Sequence, residues 1–215
     1  ELIKPLLRGR DLHAWIPEWN ELYLICTFPA LQVDIEHYNA VKDHLLSFGK
    51  ERLEQSGVKG ARKKTPNKWY ETQDTINYYK EFSKPKIMYP NMTSLFPFIY
   101  DEKGFFGNDK TFIITANDES VNLKFITAIL NSKLCKLWIW YNCPELQGGT
   151  REIRKVYFEN FRIPLDVDQQ PLADLTDLQM CQVRQLQEKR SRFLRRLTGN
   201  FDGLKITTAL QAPNT

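Results

Sequence analysis

Gln147, Gly148, Gly149, Thr150 and Arg151 form a run without apolar residues, and Arg154 and Lys155 follow it closely. Paired glycines free the backbone, so such a turn can present its amide, hydroxyl and guanidinium groups to a ligand. An ordinary surface loop between a helix and a strand has the same local composition. Other groups that could do chemistry are weaker. Asp101, Glu102 and Lys103 are adjacent, whereas a nuclease centre needs acidic residues and a lysine on neighbouring strands to place a metal ion and a water. The tetrapeptide from Asp101 to Gly104 reads instead as a hairpin turn. His37 and His44 stand two helical turns apart, too far for an i, i+4 metal pair, and His13 is remote from both. Cys26, Cys135, Cys143 and Cys181 form no CxxC pair, so neither zinc nor a disulfide framework is signalled, and buried reduced thiols are expected. No catalytic or metal-ligating residues are assigned.

The glycine turn must be carried by the elements around it. Phe125, Ile126, Ile129, Leu130, Leu134, Leu137, Trp138 and Tyr141 recur at helical spacing and predict one long helix over 122–141, stopped by Pro144. The segment Val156 to Pro164 is expected to be a strand or extended. Upstream, Lys86 to Tyr89, Phe98 to Tyr100 and Thr111 to Thr115 read as three strands of a small meander, with a polar turn at Asn91 to Ser94. Glu21 to Phe28 holds a further strand, and the opening residues begin a strand or bend. Asp34 is placed to cap a helix running to Leu53, with Ile35, Tyr38, Val41, Leu45, Leu46 and Phe48 on one face. A shorter helix is expected from Asp74 to Phe82. From Pro171 to Leu197 a long helix carries Val183, Leu186, Phe193 and Leu197 on a seam broken by Arg190, leaving open an intramolecular partner or a second copy. Residues after Gly199 are expected to fray or to belong to something truncated, and the missing initiator methionine suggests an interior fragment.

The 215 residues suffice for one domain with a core and an appendage. Aromatic content of 13% is high, with core use expected over base stacking. The net charge of +4 permits a polyanionic partner without demanding one. Its distribution says more: five basic and no acidic residues lie between Lys59 and Lys68, and six basic residues against Glu188 alone between Arg184 and Arg196. Either run could track a phosphate backbone, or be a solvated loop and helix face. No apolar run is long enough for a membrane span and no signal peptide is visible, which suggests a cytoplasmic protein.

Six segments occur in a familiar order: KPLLRGRDL from Lys4, KWYETQ from Lys68, FSKPKIMYPNMT from Phe82, FFGNDKTFII from Phe105, ILNSKL from Ile129 and GGTREIRKVYFENFRIP from Gly148. Together they resemble the TaqI-like C-terminal specificity domain, the target recognition domain behind adenine-specific DNA methyltransferases in single-chain type IIG restriction and modification enzymes. The resemblance covers roughly residues 2 to 165, and the following helix looks like the spacer that accompanies such domains. Departures fall at Asn91, where the family commonly has an acidic residue, at Ile153, near a frequent aromatic, and at Arg162, where an apolar residue is usual.

The resemblance implies an α+β fold, a small mixed or antiparallel sheet with packed helices, in which 1–166 recognise DNA and 167–215 form the spacer helix and tail. It implies a non-catalytic, bacterial phage-defence module that selects a duplex DNA sequence for a methyltransferase domain of the same polypeptide. S-adenosylmethionine, and Mg where a nuclease is present, would serve that parent and not this chain, which has neither an Asn-Pro-Pro-aromatic loop nor a glycine-rich cofactor turn. On this view Arg8, Arg10, Lys59, Arg62, Lys63, Lys64, Lys68, Lys110 and Lys155 contact phosphates, Lys110 and Lys155 suiting either role. Asn91, Thr93 and Ser94 in one turn, and Gln147, Thr150, Arg151 and Arg154 in the other, offer donors and acceptors shaped for base edges. The alternative is a protein interaction module acting through the C-terminal helix, with self-association as one form.

Overall fold

Ile3–Leu7 (β1) and Tyr23–Ile25 (β2) pair antiparallel, with Ile3 opposite Ile25 and Pro5 opposite Tyr23. They belong to the first of two compact units into which the chain divides in the computed structural model, which describes residues 1–54 and 65–200. This unit comprises Glu1–Leu6, Glu21–Lys84 and Lys103–Phe106. Leu2, Val33, Ile35 and Tyr70 form its buried centre. Two buried hydroxyls tie its loops: Thr27 donates to the Tyr70 carbonyl and Tyr70 to the Val33 carbonyl, each at 2.7 Å.

The helix expected from Asp34 to Leu53 is not continuous. Asp34 caps a 3-10 turn, Ile35–His37, by accepting from the Glu36 N–H, and α1 (Asn39–Leu46) and α2 (Lys50–Leu53) follow. Gly49, at φ 87°, supplies the left-handed residue that separates them. Leu46 and Phe48 are exposed rather than on the buried face. The helix expected at 74–82 is a 3-10 turn, Tyr79–Ser83, whose Phe82 stacks on Phe106 at 4.6 Å.

The second unit, Leu7–Asn20, Pro85–Glu102 and Gly107 onward, carries most of the candidate site residues. Its centre is β3 (Lys86–Pro90), buried at every position. After β3 come β4 (Met92–Thr93), β5 (Ile99–Asp101), β6 (Phe106–Gly107), whose Phe106 belongs to the first unit, and β7 (Thr111–Ile114). Strands β5 and β7 flank β3, both antiparallel, in the order β5-β3-β7. A meander would have put β5 in the middle. The central place pairs the backbone of the fully buried β3 along both edges, so neither is left as an open sheet edge with unpaired N–H and C=O groups. Asp101 is therefore no turn residue: it lies opposite Lys86, the two charges pairing in a site where both side chains are almost fully excluded from water.

The single long helix expected at 122–141 is two, α3 (Leu123–Leu130) and α4 (Lys133–Asn142). Asn131 breaks it, because its side chain donates to the Phe98 carbonyl at 2.8 Å and accepts from the Phe98 N–H at 3.2 Å. Ser132 then caps α4 by accepting from the Cys135 N–H. Beyond β8 (Arg151–Glu152), the expected extended segment begins as a single helical turn, α5 (Lys155–Phe158). That turn drops Phe158 into an aromatic cluster with Tyr89, Phe98, Trp138 and Phe161, at centroid distances of 5.6 to 6.2 Å.

The long helix α6 (Gln170–Asn200) begins by packing on α3. Thr176 donates to the Lys124 carbonyl at 2.7 Å, and Lys124 reaches Asp177 at 2.7 Å. Farther along, Leu186 and Phe193 of the expected seam are exposed. Gln187, Arg190, Ser191 and Leu194 instead line a cleft with Pro17–Asn20, an intramolecular neighbour. The architecture is α+β, and no described helix is long and apolar enough to cross a membrane. Cys26, Cys135 and Cys143 are buried, with burial pushing the thiols of Cys26 and Cys135 up to about 11 and about 12, whereas Cys181 departs from expectation and is exposed.

Candidate functional site

The two polar turns, separated by more than fifty residues in the chain, are neighbours. Strand β4 pairs antiparallel with β8, Met92 opposite Glu152 and Thr93 opposite Arg151. Asn91 is held on both sides, its N–H donating to the Lys110 carbonyl at 3.0 Å and its carbonyl accepting from the Ile153 N–H at 2.7 Å. Thr93 accepts from the Leu95 N–H at 3.0 Å, which leaves Ser94 exposed at the bend.

In the other turn Gly148 and Gly149 take φ 66° and 75°, a conformation that favours glycine. The turn closes through the Leu146 N–H on the Thr150 carbonyl at 2.8 Å, with Gln147 and Gly148 exposed at its tip. Arg151 does not project with them. It is 8% exposed, its guanidinium lies 4.3 Å from the centre of the Trp140 ring, and it pairs with Glu145 at 3.0 Å. Its Nε has no hydrogen-bond partner among the described residues. Arg154 is largely exposed and pairs with Glu152 at 2.8 Å, and Lys155 is exposed at the start of α5.

Beside β4 runs a groove of about 730 Å³ within the second unit. Arg8, Gly9, Arg10, Leu12 and His13 form one wall, Pro90 to Thr93 with Leu95 and Pro97 the other, and Asn108 and Lys110 one end. Gly9 is needed for the close approach of the walls, since a Cβ there would stand 3.1 Å from the Lys110 carbonyl oxygen. Arg8 donates three hydrogen bonds to the Asp11 carboxylate, one from its backbone N–H at 2.8 Å and two from its guanidinium at 2.8 and 2.9 Å. Burial alone would raise the Asp11 carboxyl, yet Arg8 holds it below the usual carboxylate range. Arg10 is exposed and makes no ion pair among the described residues, whereas Lys110 reaches Asp109 at 2.9 Å.

The structure thus brings Asn91, Thr93, Ser94, Gln147, Thr150 and Arg151 onto one pair of strands and their turns, and Arg8, Arg10 and Lys110 onto the adjoining groove. Lys68 lies in the first unit, its ammonium 5.6 Å from the centre of the Tyr70 ring. Lys59, Arg62, Lys63 and Lys64 lie outside the described residues. Sequence reasoning missed Met92, Leu95, Asn108 and the Trp140 platform, and considered His13 only as a metal ligand. Local pattern held no signal for Trp140, which sits in a helix that reads as core. Among the described residues no group of three or more His, Cys, Asp or Glu side chains is arranged to hold a metal ion.

Residues 4–165 match the TaqI-like C-terminal specificity domain. The chain belongs to this family. The specificity domain is 22% identical over 166 residues to the type II methyltransferase M.BstVI of Geobacillus stearothermophilus, covering 76% of this chain and 28% of that protein. Its fold is similar to part of the crystal structure of the type IIG restriction endonuclease BpuSI, with a TM-score of 0.53 and 17% identity, covering 82% of this chain and 21% of that one. The specificity domain therefore spans under a third of the length of either relative.

Proposed function

We propose that the specificity domain reads a short sequence in duplex DNA on behalf of a methyltransferase joined to it, and performs no chemistry itself. The observation that carries this is the β4–β8 ladder, which holds two polar turns side by side next to a groove with a cationic wall. Arg8, Arg10, Lys110 and Lys155, with Lys59, Arg62, Lys63, Lys64 and Lys68, supply phosphate contacts that set register. Asn91, Thr93, Ser94, Gln147, Thr150 and Arg154 face base edges. Arg151 acts from beneath: stacked on Trp140 and paired with Glu145, it fixes the turn that displays Gln147 and Thr150. Residues 1–166 form the recognition part and 167–215 the spacer. S-adenosylmethionine, and Mg where the parent cleaves, serve domains beyond this one, in the cytoplasm of a bacterium defending itself against phage.

Selection from randomised duplex DNA at low salt, followed by sequencing of what is retained, tests the proposal. An enriched short motif is expected, with affinity falling steeply as salt rises, by a log–log slope of about 0.9 per phosphate contacted. Retention without a motif would reduce the site to a generic basic surface. A second reading is favoured by the exposure of Leu186 and Phe193 on α6, which suits a protein partner or a second copy. Association through that apolar face would respond little to salt.

A further inference from the structure

The groove beside β4 has a composition that matches one kind of base pair. Asn91 lines it with its backbone bonded on both sides, yet its carboxamide makes no hydrogen bond among the described residues. The Oδ1 atom is buried without a donor, an uncommon and costly arrangement for a polar atom. Because no protein bond holds the amide, rotation about its terminal torsion breaks none. Next to it, Met92 and Leu95 are 40% and 49% exposed in the same groove, an apolar surface framed by the cationic Arg10 and Lys110.

A ligand must therefore be anionic around its edges, offer one donor and one acceptor together, and carry an apolar group beside them. In the major groove an A·T pair does so. Adenine N7 accepts and N6 donates, in register with a carboxamide, and the thymine C5-methyl projects alongside. Guanine alone offers two acceptors and no donor to a carboxamide, and the G·C pair has no methyl for the apolar surface. We propose that this groove reads one A·T base pair, Asn91 bonding the adenine and Met92 with Leu95 receiving the thymine methyl. This rests on the DNA reading proposed above.

The test uses the selected motif with single-atom-group changes: 7-deazaadenine for each adenine, which removes N7, and deoxyuridine for each thymine, which removes only the methyl. At one A·T pair both changes should weaken binding, 7-deazaadenine by roughly tenfold. Asn91→Ala should abolish the response to 7-deazaadenine there and keep the response to deoxyuridine. Met92→Ala with Leu95→Ala should do the reverse. A motif without an A·T pair, a wild-type domain indifferent to both analogues at every A·T pair, or an Asn91→Ala domain as sensitive as wild type to 7-deazaadenine overturns the assignment while leaving DNA reading intact. Failure to select any motif takes both proposals down together.

Discussion

Lys86→Met should destabilise the fold by about 3–5 kcal/mol, a large part of a typical domain's margin. Lys86 is fully buried and the Asp101 side chain is 3% exposed, with the ammonium 2.5 Å from the carboxylate across the β3–β5 ladder. Burial pulls the Lys86 ammonium below its usual range against the opposing effect of Asp101, so desolvation already weighs on the pair. Methionine keeps most of the lysine stem, and its loss is therefore mainly electrostatic, leaving a carboxylate in the interior without its counter-charge. Asp101→Asn strands the ammonium in the same way and should cost about as much. The double replacement Lys86→Met with Asp101→Leu removes both charges and should recover most of either loss, because the net worth of a buried pair against apolar residues of similar size is small. Urea unfolding at pH 7, followed by tryptophan fluorescence, gives the three free energies. A single change costing under about 1 kcal/mol, or a double change equal to the sum of the singles, would refute the reasoning. Since β3 runs directly into Asn91, the double variant should also select the same DNA motif as wild type.

Arg151→Lys should behave more like Arg151→Ala than like wild type in binding the selected motif, because an ammonium cannot reproduce the planar stack on Trp140 together with the bond to Glu145. Competition binding to cognate and random duplex measures this, and a lysine variant equal to wild type would remove the positioning role. Tyr89, on β3 and in the aromatic cluster with Phe98 and Phe158, has its phenol pushed up to about 12 by burial. The raised folded value means that its contribution is complete below the unfolded value near 10 and is lost as pH climbs toward about 12. Urea midpoints across that range should fall less steeply in Tyr89→Phe, and an unchanged slope would contradict the burial effect.

Much of the architecture was legible from periodicity. The strands near Lys86, Phe98 and Thr111 and the apolar helical run from Phe125 all appear, because apolar spacing reports which side of an element faces a core. The failures share a cause. Asn131 sits within an apolar helical pattern, and only its bonds to Phe98 reveal why the helix breaks there. Phe158 and Phe161 fit an extended segment as well as a turn, and the aromatic cluster decides for the turn. Asp101 beside Glu102 and Lys103 looks like a surface turn until Lys86 is found opposite it.

For the site, residue types alone determined that polar side chains cluster at Asn91 to Ser94 and Gln147 to Arg154, since hydroxyl, amide and guanidinium groups on turns are hydrogen-bonding chemistry wherever the chain puts them. Only the tertiary structure decided that the two turns share a ladder, that Arg151 lies under its turn while Gln147 stands at the tip, and that Met92 and Leu95 join Asn91 in one groove. Pairing across such a sequence separation is fixed by long-range backbone hydrogen bonds, and local sequence carries no record of which distant strand completes them.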